Sequence, residues 1–178
     1  MQSVPGQRKL NFLIPKSYIE ENETIQKIFD IGVFNLETHI EADEERVDSV
    51  RKRKRTFRKQ GVAVKGRLVC GEASLKYANL KIYDLDRNPG DSDDLMNENY
   101  TDKNGMFALS GTTREFTDIE PVLFIYHDCE DGIRPCQKRV RLIIPRRFIH
   151  DGTPTDWFDI GTLNMAMTFP QQDRSCYH

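Results

Sequence analysis

Hydrophobic and polar positions alternate in short runs over most of the chain beyond residue 60. Val62-Ala63-Val64-Lys65-Gly66-Arg67-Leu68-Val69-Cys70 alternates and is β-branched, which predicts a strand. Ala78, Leu80 and Ile82 share one face of a strand over 78–84. Residues 99–102 and 106–109 flank Lys103-Asn104-Gly105, whose Asn-Gly supplies the positive φ of a hairpin turn. Val122-Leu123-Phe124-Ile125-Tyr126-His127 is a dense apolar strand, and 138–144 and 157–167 complete the set. Pro145 closes the sixth strand, because proline cannot donate to a ladder. Arg146-Arg147-Phe148-Ile149 reads as a turn or short helix. About seven strands with turn signals roughly every ten residues predict an all-β fold, an antiparallel β-sandwich.

The chain also repeats itself. Residues 5–19 (PGQRKLNFLIPKSYI) align with 135–149 (PCQKRVRLIIPRRFI). Phe29-Asp30-Ile31-Gly32 then recurs as Phe158-Asp159-Ile160-Gly161, and Asn35 as Asn164. Residues 1–50 therefore read as the last strands of a module whose complete copy is 61–178. Too few strands remain in 1–50 to close a core alone. Phe12, Ile14, Ile19, Phe29, Ile31, Val33 and Phe34 are nevertheless apolar. They are expected either to pair with a sheet edge of the complete copy or to need another chain, a route to self-association.

Composition narrows the class. With 178 residues, 38% hydrophobic and 30% charged, the chain holds one ordinary domain plus extra. No run approaches the roughly 18 apolar residues of a spanning helix. The net charge of −2 divides unevenly: −5 over residues 1–50, +7 over 51–59 and −4 over 60–178. The basic run marks a solvated linker over 51–60. Its Lys54 and Arg55 are a candidate processing site, as an extended, accessible cationic segment would be. The acidic remainder, with no recognition motif, argues against nucleic acid.

Cys70, Cys129, Cys136 and Cys176 all follow the linker. Four cysteines in a short module suit two disulfides and an oxidising compartment. Cys129 and Cys136 stand seven apart, wider than structural zinc spacing. A local Cys129–Cys136 bridge with Cys70–Cys176 is the first expectation. The alternative, Cys136–Cys176, is encouraged by the loss of both positions in the half copy, where Gly6 and Val47 stand. Two sequons, at Asn22 and Asn99, are glycosylation candidates. Met1 is followed by no basic and apolar leader. The reading is therefore a cytosolic chain or one whose true start is missing, and the cysteines favour the second.

Several segments together resemble a known family. They are Lys65-Gly66-Arg67-Leu68-Val69-Cys70, Leu80-Lys81-Ile82-Tyr83-Asp84, residues 100–107, Gly111-Thr112-Thr113-Arg114-Glu115-Phe116, Tyr126-His127-Asp128-Cys129, Pro135-Cys136 and Phe158-Asp159-Ile160-Gly161-Thr162-Leu163-Asn164. These look like the nematode transthyretin-like family, across essentially all of 61–178. The resemblance implies a prealbumin-like β-sandwich, secretion and no catalytic activity, with recognition of a cell surface or lipid. The half module departs from the usual pattern and suggests a truncated product, a fused gene or an incomplete start.

The candidate chemistry is sparse. The related transthyretin-fold hydrolases of hydroxyisourate end in Tyr-Arg-Gly-Ser, whereas this chain ends Ser175-Cys176-Tyr177-His178. His127 is adjacent to Asp128, but neighbours on a strand point to opposite faces, so it is read as structural. Asp84, Asp86, Asp91, Asp93 and Asp94 invite calcium, yet Pro89 and Gly90 break the spacing and no closing Glu follows. No metal or cofactor is expected. Lys138, Arg139, Arg141, Arg146 and Arg147 are the one basic concentration of the complete copy and a candidate anionic-surface site. The favoured reading is an extracellular, non-enzymatic binder of a protein, an anionic lipid surface or a small apolar ligand. The alternative is a hydroxyisourate-type hydrolase.

Overall fold

The computed structural model describes residues 13–15, 18, 28–35, 39–40, 57–85, 93–170 and 172–177. Asn22, Lys54, Arg55, Asp86 and Asp91 lie outside the described residues. Two β-sheets face each other. One has the order β1(His39–Ile40)-β8(Gln137–Ile143)-β7(Pro121–His127)-β4(Asn79–Asp84)-β5(Asp94–Tyr100), with β11(Asp173–Ser175) also on β8. The other centres on the 13-residue β2(Arg58–Cys70), which pairs with β6(Met106–Glu115), β10(Phe158–Asn164), β3(Ala73–Ser74) and β9(His150–Asp151). Among the described residues the strand pairings are antiparallel except β10 with β2, which is parallel.

Alternation along the strands builds the core. Val62, Val64 and Leu68 of β2 point inward, toward Leu80 and Ile82 of β4, Leu123 and Ile125 of β7 and Val140 and Leu142 of β8. Phe158, Ile160 and Leu163 close it from β10. Burying each such side chain contributes roughly 1.5–3 kcal/mol. β7 is buried along its whole length. Its outward Val122, Phe124 and Tyr126 form a second cluster with Tyr83, Leu85 and Ile143, and the Arg139 guanidinium sits 5.1 Å from the Phe124 ring centre. A central strand covered on both faces is why this run carries no polar alternation.

Two expectations need correction. β2 starts at Arg58, inside the segment assigned to the linker. Arg58 pairs with both Asp118 and Asp151, and Gln60 is buried, its amide donating to Thr117 O at 2.6 Å. Acidic partners distant in sequence convert part of a charge run into strand. The second concerns the predicted hairpin around Asn104-Gly105. The turn exists, with Gly105 at φ 75°, but β5 and β6 belong to different sheets. A Cβ on Gly105 would lie 2.2 Å from Leu68 O, so the turn is pressed against β2. The Asn97 and Asn99 side chains donate to Ser110 O and Ala108 O, stitching β5 to β6 through side-chain amides instead of a ladder.

The described N-terminal residues lie along edges of the complete copy. Phe34 bridges Gly161, Leu13 bridges Thr168, and β1 pairs antiparallel with β8.

Candidate recognition surface

β4 starts, and β5, β7 and β11 end, at the same end of the first sheet, where β8 begins. The end is pinned by both disulfides. Cys70–Cys129 ties the end of β2 to the second residue beyond β7, joining the two sheets with Cα atoms 5.6 Å apart. Cys136–Cys176 ties the start of β8 to the tail after β11, at 4.3 Å. The first-choice pairing, Cys129–Cys136 with Cys70–Cys176, is therefore overturned in favour of the alternative for Cys136. The reason is register: β11 returns antiparallel along β8, setting Ser175 opposite Gln137 and Cys176 beside Cys136. No local spacing reveals that return.

The loop between the two bridged cysteines is held from inside. The Asp131 carboxylate is buried and takes both guanidinium nitrogens of Arg174, which also donates to Cys136 O at 2.8 Å. The hydrogen bond from Arg174 holds the Asp131 carboxyl below its usual range. Glu130, Gly132 and Cys136 all have positive φ, so the loop is tightly bent. Against this frame the tip is bare. Ile133 is fully exposed, Tyr177 is 90% exposed and Tyr77 73%, with Tyr100 half exposed nearby on the same end. Lys76, Lys103 and Arg134, and Glu72, Asp128 and Glu130, in the segments at this end, are all exposed. The arrangement suits docking: rigid anchors, mixed charges and little conformational entropy left to lose.

His127 is in the frame, not on the surface. It is buried, its Nδ1 accepts from Cys129 N–H at 3.3 Å, and its Nε2 has no hydrogen-bond partner. Burial, reinforced by the Lys138 ammonium, lowers its pKa to about 4. Burial and the bond from Cys129 N–H give His127 the setting of a structural imidazole.

The basic residues do not form one strip. Lys138 lies on the inward-leaning side of β8 and donates to Cys129 O at 2.7 Å. Arg139 and Arg141 share the outer face, as expected from alternation, but Arg139 is held by Asp173 from β11. Arg146 and Arg147 sit on a 3-10 turn, Arg146–Phe148, at the far end of β8, with Arg147 over the Phe148 ring at 4.8 Å. Among the acidic candidates, Asp84 is buried and accepts from Glu120 N–H at 2.7 Å, while Asp93 and Asp94 are exposed. Among the described residues no group of three or more His, Cys, Asp or Glu converges as a metal site. Asn99 is exposed, whereas the Thr101 of its sequon is buried and donates to Leu75 O.

A shallow groove of about 580 Å³ crosses the outer face of the second sheet, floored by Gly66 and edged by Lys65, Arg67, Asp102, Met106 and Asp159. Its charges satisfy one another or the backbone: Lys65 lies 3.7 Å from Asp159, Arg67 donates to Asn104 O, and Asp102 accepts from Asn104 and Met106 N–H. The exposed tip was missed from sequence. Its signal, an isolated Ile between Gly132 and Arg134 inside a cysteine-bracketed loop, is available in the chain itself.

Comparison with known proteins gives one consistent result. The profile of the transthyretin-like family matches residues 65–145. Transthyretin-like protein 33 of Caenorhabditis elegans is 47% identical over 120 residues, covering 67% of this chain and 83% of the relative. Transthyretin-like protein 5 of the same organism is 42% identical, covering 67% and 86%. Transthyretin-like protein 46 is 41% identical, covering 66% of each.

Proposed function

This chain belongs to the transthyretin-like family, and from that premise we propose that it is an extracellular, non-enzymatic recognition protein that binds a protein partner through its disulfide-braced end. The observation that carries this reading is the contrast at that end between a locked frame and bare anchors. Two disulfides and the Asp131–Arg174 pair hold a loop whose Ile133 is wholly in solvent, at the same sheet end as the exposed Tyr77 and Tyr177. Tyrosine and isolated apolar anchors on a rigid loop are what protein interfaces use. Mixed charge around them favours a protein over an anionic bilayer, which the exposed Asp128 and Glu130 would repel. Two disulfides support an oxidising, extracellular setting.

The test is site-specific photocrosslinking from position 133 of the full chain, against extracellular proteins of Caenorhabditis elegans. One discrete adduct, lost with Tyr177→Ser and not formed from position 114 on β6, is the expected result. Binding to phosphatidylserine vesicles with no protein adduct would redirect the reading to lipid. Turnover of hydroxyisourate that disappears in His127→Asn would replace it with the hydrolase.

A further inference from the structure

The two Phe-Asp-Ile-Gly segments touch each other, and several of their contacts come as matched pairs. Within the repeat, Val33 corresponds to Thr162, and Phe34↔Gly161 pairing sets these two equivalent residues directly opposite each other. Asn35 donates from Nδ2 to Asp159 O at 2.6 Å; its equivalent Asn164 donates to Asp30 O at 2.5 Å. A Cβ on Gly32 would lie 2.4 Å from Thr162 O, and one on Gly161 2.2 Å from Val33 O. Both glycines have positive φ, and each N–H is held by the Asp two residues before it, at 2.8 and 2.9 Å. The match extends outward. β1 sets His39 opposite Ile143, while Leu13 bridges Thr168; in the repeat His39 corresponds to Thr168 and Leu13 to Ile143. The half copy and the complete copy are thus related by a local two-fold axis through Val33 and Thr162.

A two-fold contact between equivalent segments is isologous: one surface recognises itself. We infer that the β10 edge of the complete domain is a self-complementary interface, and that the half copy occupies it in cis in place of a second copy of the domain. With two complete copies, the paired contacts collapse into one set. Thr162 meets Thr162 at the axis, Asn164 donates to Asp159 O of the second copy, and Thr168 pairs with Ile143. The same geometry explains why the edge needs an occupant. Uncovered, it presents unpaired N–H and C=O groups to any strand.

The experiment uses the full chain with Thr162→Cys as a reporter at the axis. The four native cysteines are all paired, so the new thiol is the free one. Two Thr162→Cys copies in this register would bring Cα atoms within the ~7 Å that a disulfide bridges. Gly32→Val forces a branched side chain onto Thr162 O and frees the edge without changing a residue of 61–178, as does Phe34→Asp, which also withdraws the Phe34 ring from the rim of the core. Combining either with Thr162→Cys should raise the disulfide-linked dimer at least about tenfold over Thr162→Cys alone, a shift of ~1.4 kcal/mol in the cis contact. Asp156→Cys, exposed and off the axis, measures random collision. Val33→Cys with Thr162→Cys should close an intramolecular bridge instead. No dimer from either freed variant, equal dimer with and without Gly32→Val, or equal yield from Asp156→Cys overturns the inference.

Discussion

Phe29–Asn35 and Phe158–Asn164 carry nearly the same residues and meet different fates. Ile160 is fully buried and Phe158 almost so, whereas Ile31 is 47% exposed and Phe29 half-buried. Both segments make the same local turn, with an Asp side chain gripping a glycine N–H at positive φ. Local sequence therefore sets backbone shape in both, while burial depends on whether a sheet stands behind the strand. β10 has β2 along one side and the opposing sheet beneath it; the described residues of Phe29–Asn35 have the β10 edge, with Phe29 and Phe34 packed against the rim of the core. Chemically equal side chains should differ in their contribution to stability by the ratio of what covers them.

The sharpest break in the comparison is Ile160→Ala against Ile31→Ala. The first opens a cavity between two sheets and should cost about 3–4 kcal/mol; the second should cost less than ~1, both read as urea midpoints. Acid should separate the copies next, because the half copy has no counterpart of His127. Its pKa of about 4 is depressed by burial below the unfolded value near 6.5. The unfolded chain then binds the proton first, so stability is full above pH ~6.5 and falls as pH drops toward ~4, by roughly 3 kcal/mol. His127→Asn, which keeps an acceptor for Cys129 N–H, should remove that part of the pH dependence in paired unfolding curves at pH 7 and 4.5. Third, Asn164→Ala strips an acceptor from Gly71 and Ala166 N–H and should cost about 2–3 kcal/mol, with Asn35→Ala below ~1. The smallest effect is Gly32→Ala: unchanged global unfolding, with faster amide exchange confined to the residues around Phe34. Protection there equal to that of β10 would erase the distinction between the copies.

The strands of the complete domain were readable because period-two alternation survives wherever one face meets the core. β2, β4, β8 and β10 show it, and the continuous apolar run of β7 announced a strand covered twice. What failed involved partners far away in sequence. Arg58 looked like linker because Asp118 and Asp151 lie 60 and 93 residues further on. The hairpin at Gly105 looked local because an Asn-Gly turn is the same whether its arms pair or part into two sheets. Cys136 found Cys176 through β11, three residues with no alternation to betray them. The docking end was the least visible of all. It is made of exposed residues, which no periodicity marks, and its meaning comes from the cross-links beneath.

The parallel pairing of β10 with β2 also has a consequence for how the chain is expected to fold. The strand that pairs with β2 lies about 95 residues from it, while a near-duplicate of that strand lies only about 35 residues upstream, a difference in loop-closure entropy of ~1 kcal/mol in favour of the duplicate. On that ground Phe29–Asn35 is expected to compete early in refolding for the side of β2 that Phe158–Asn164 occupies. Refolding of the full chain should therefore show a slow displacement phase that shortens with Gly32→Val, so that the segment guarding the finished edge is also the one that delays its completion.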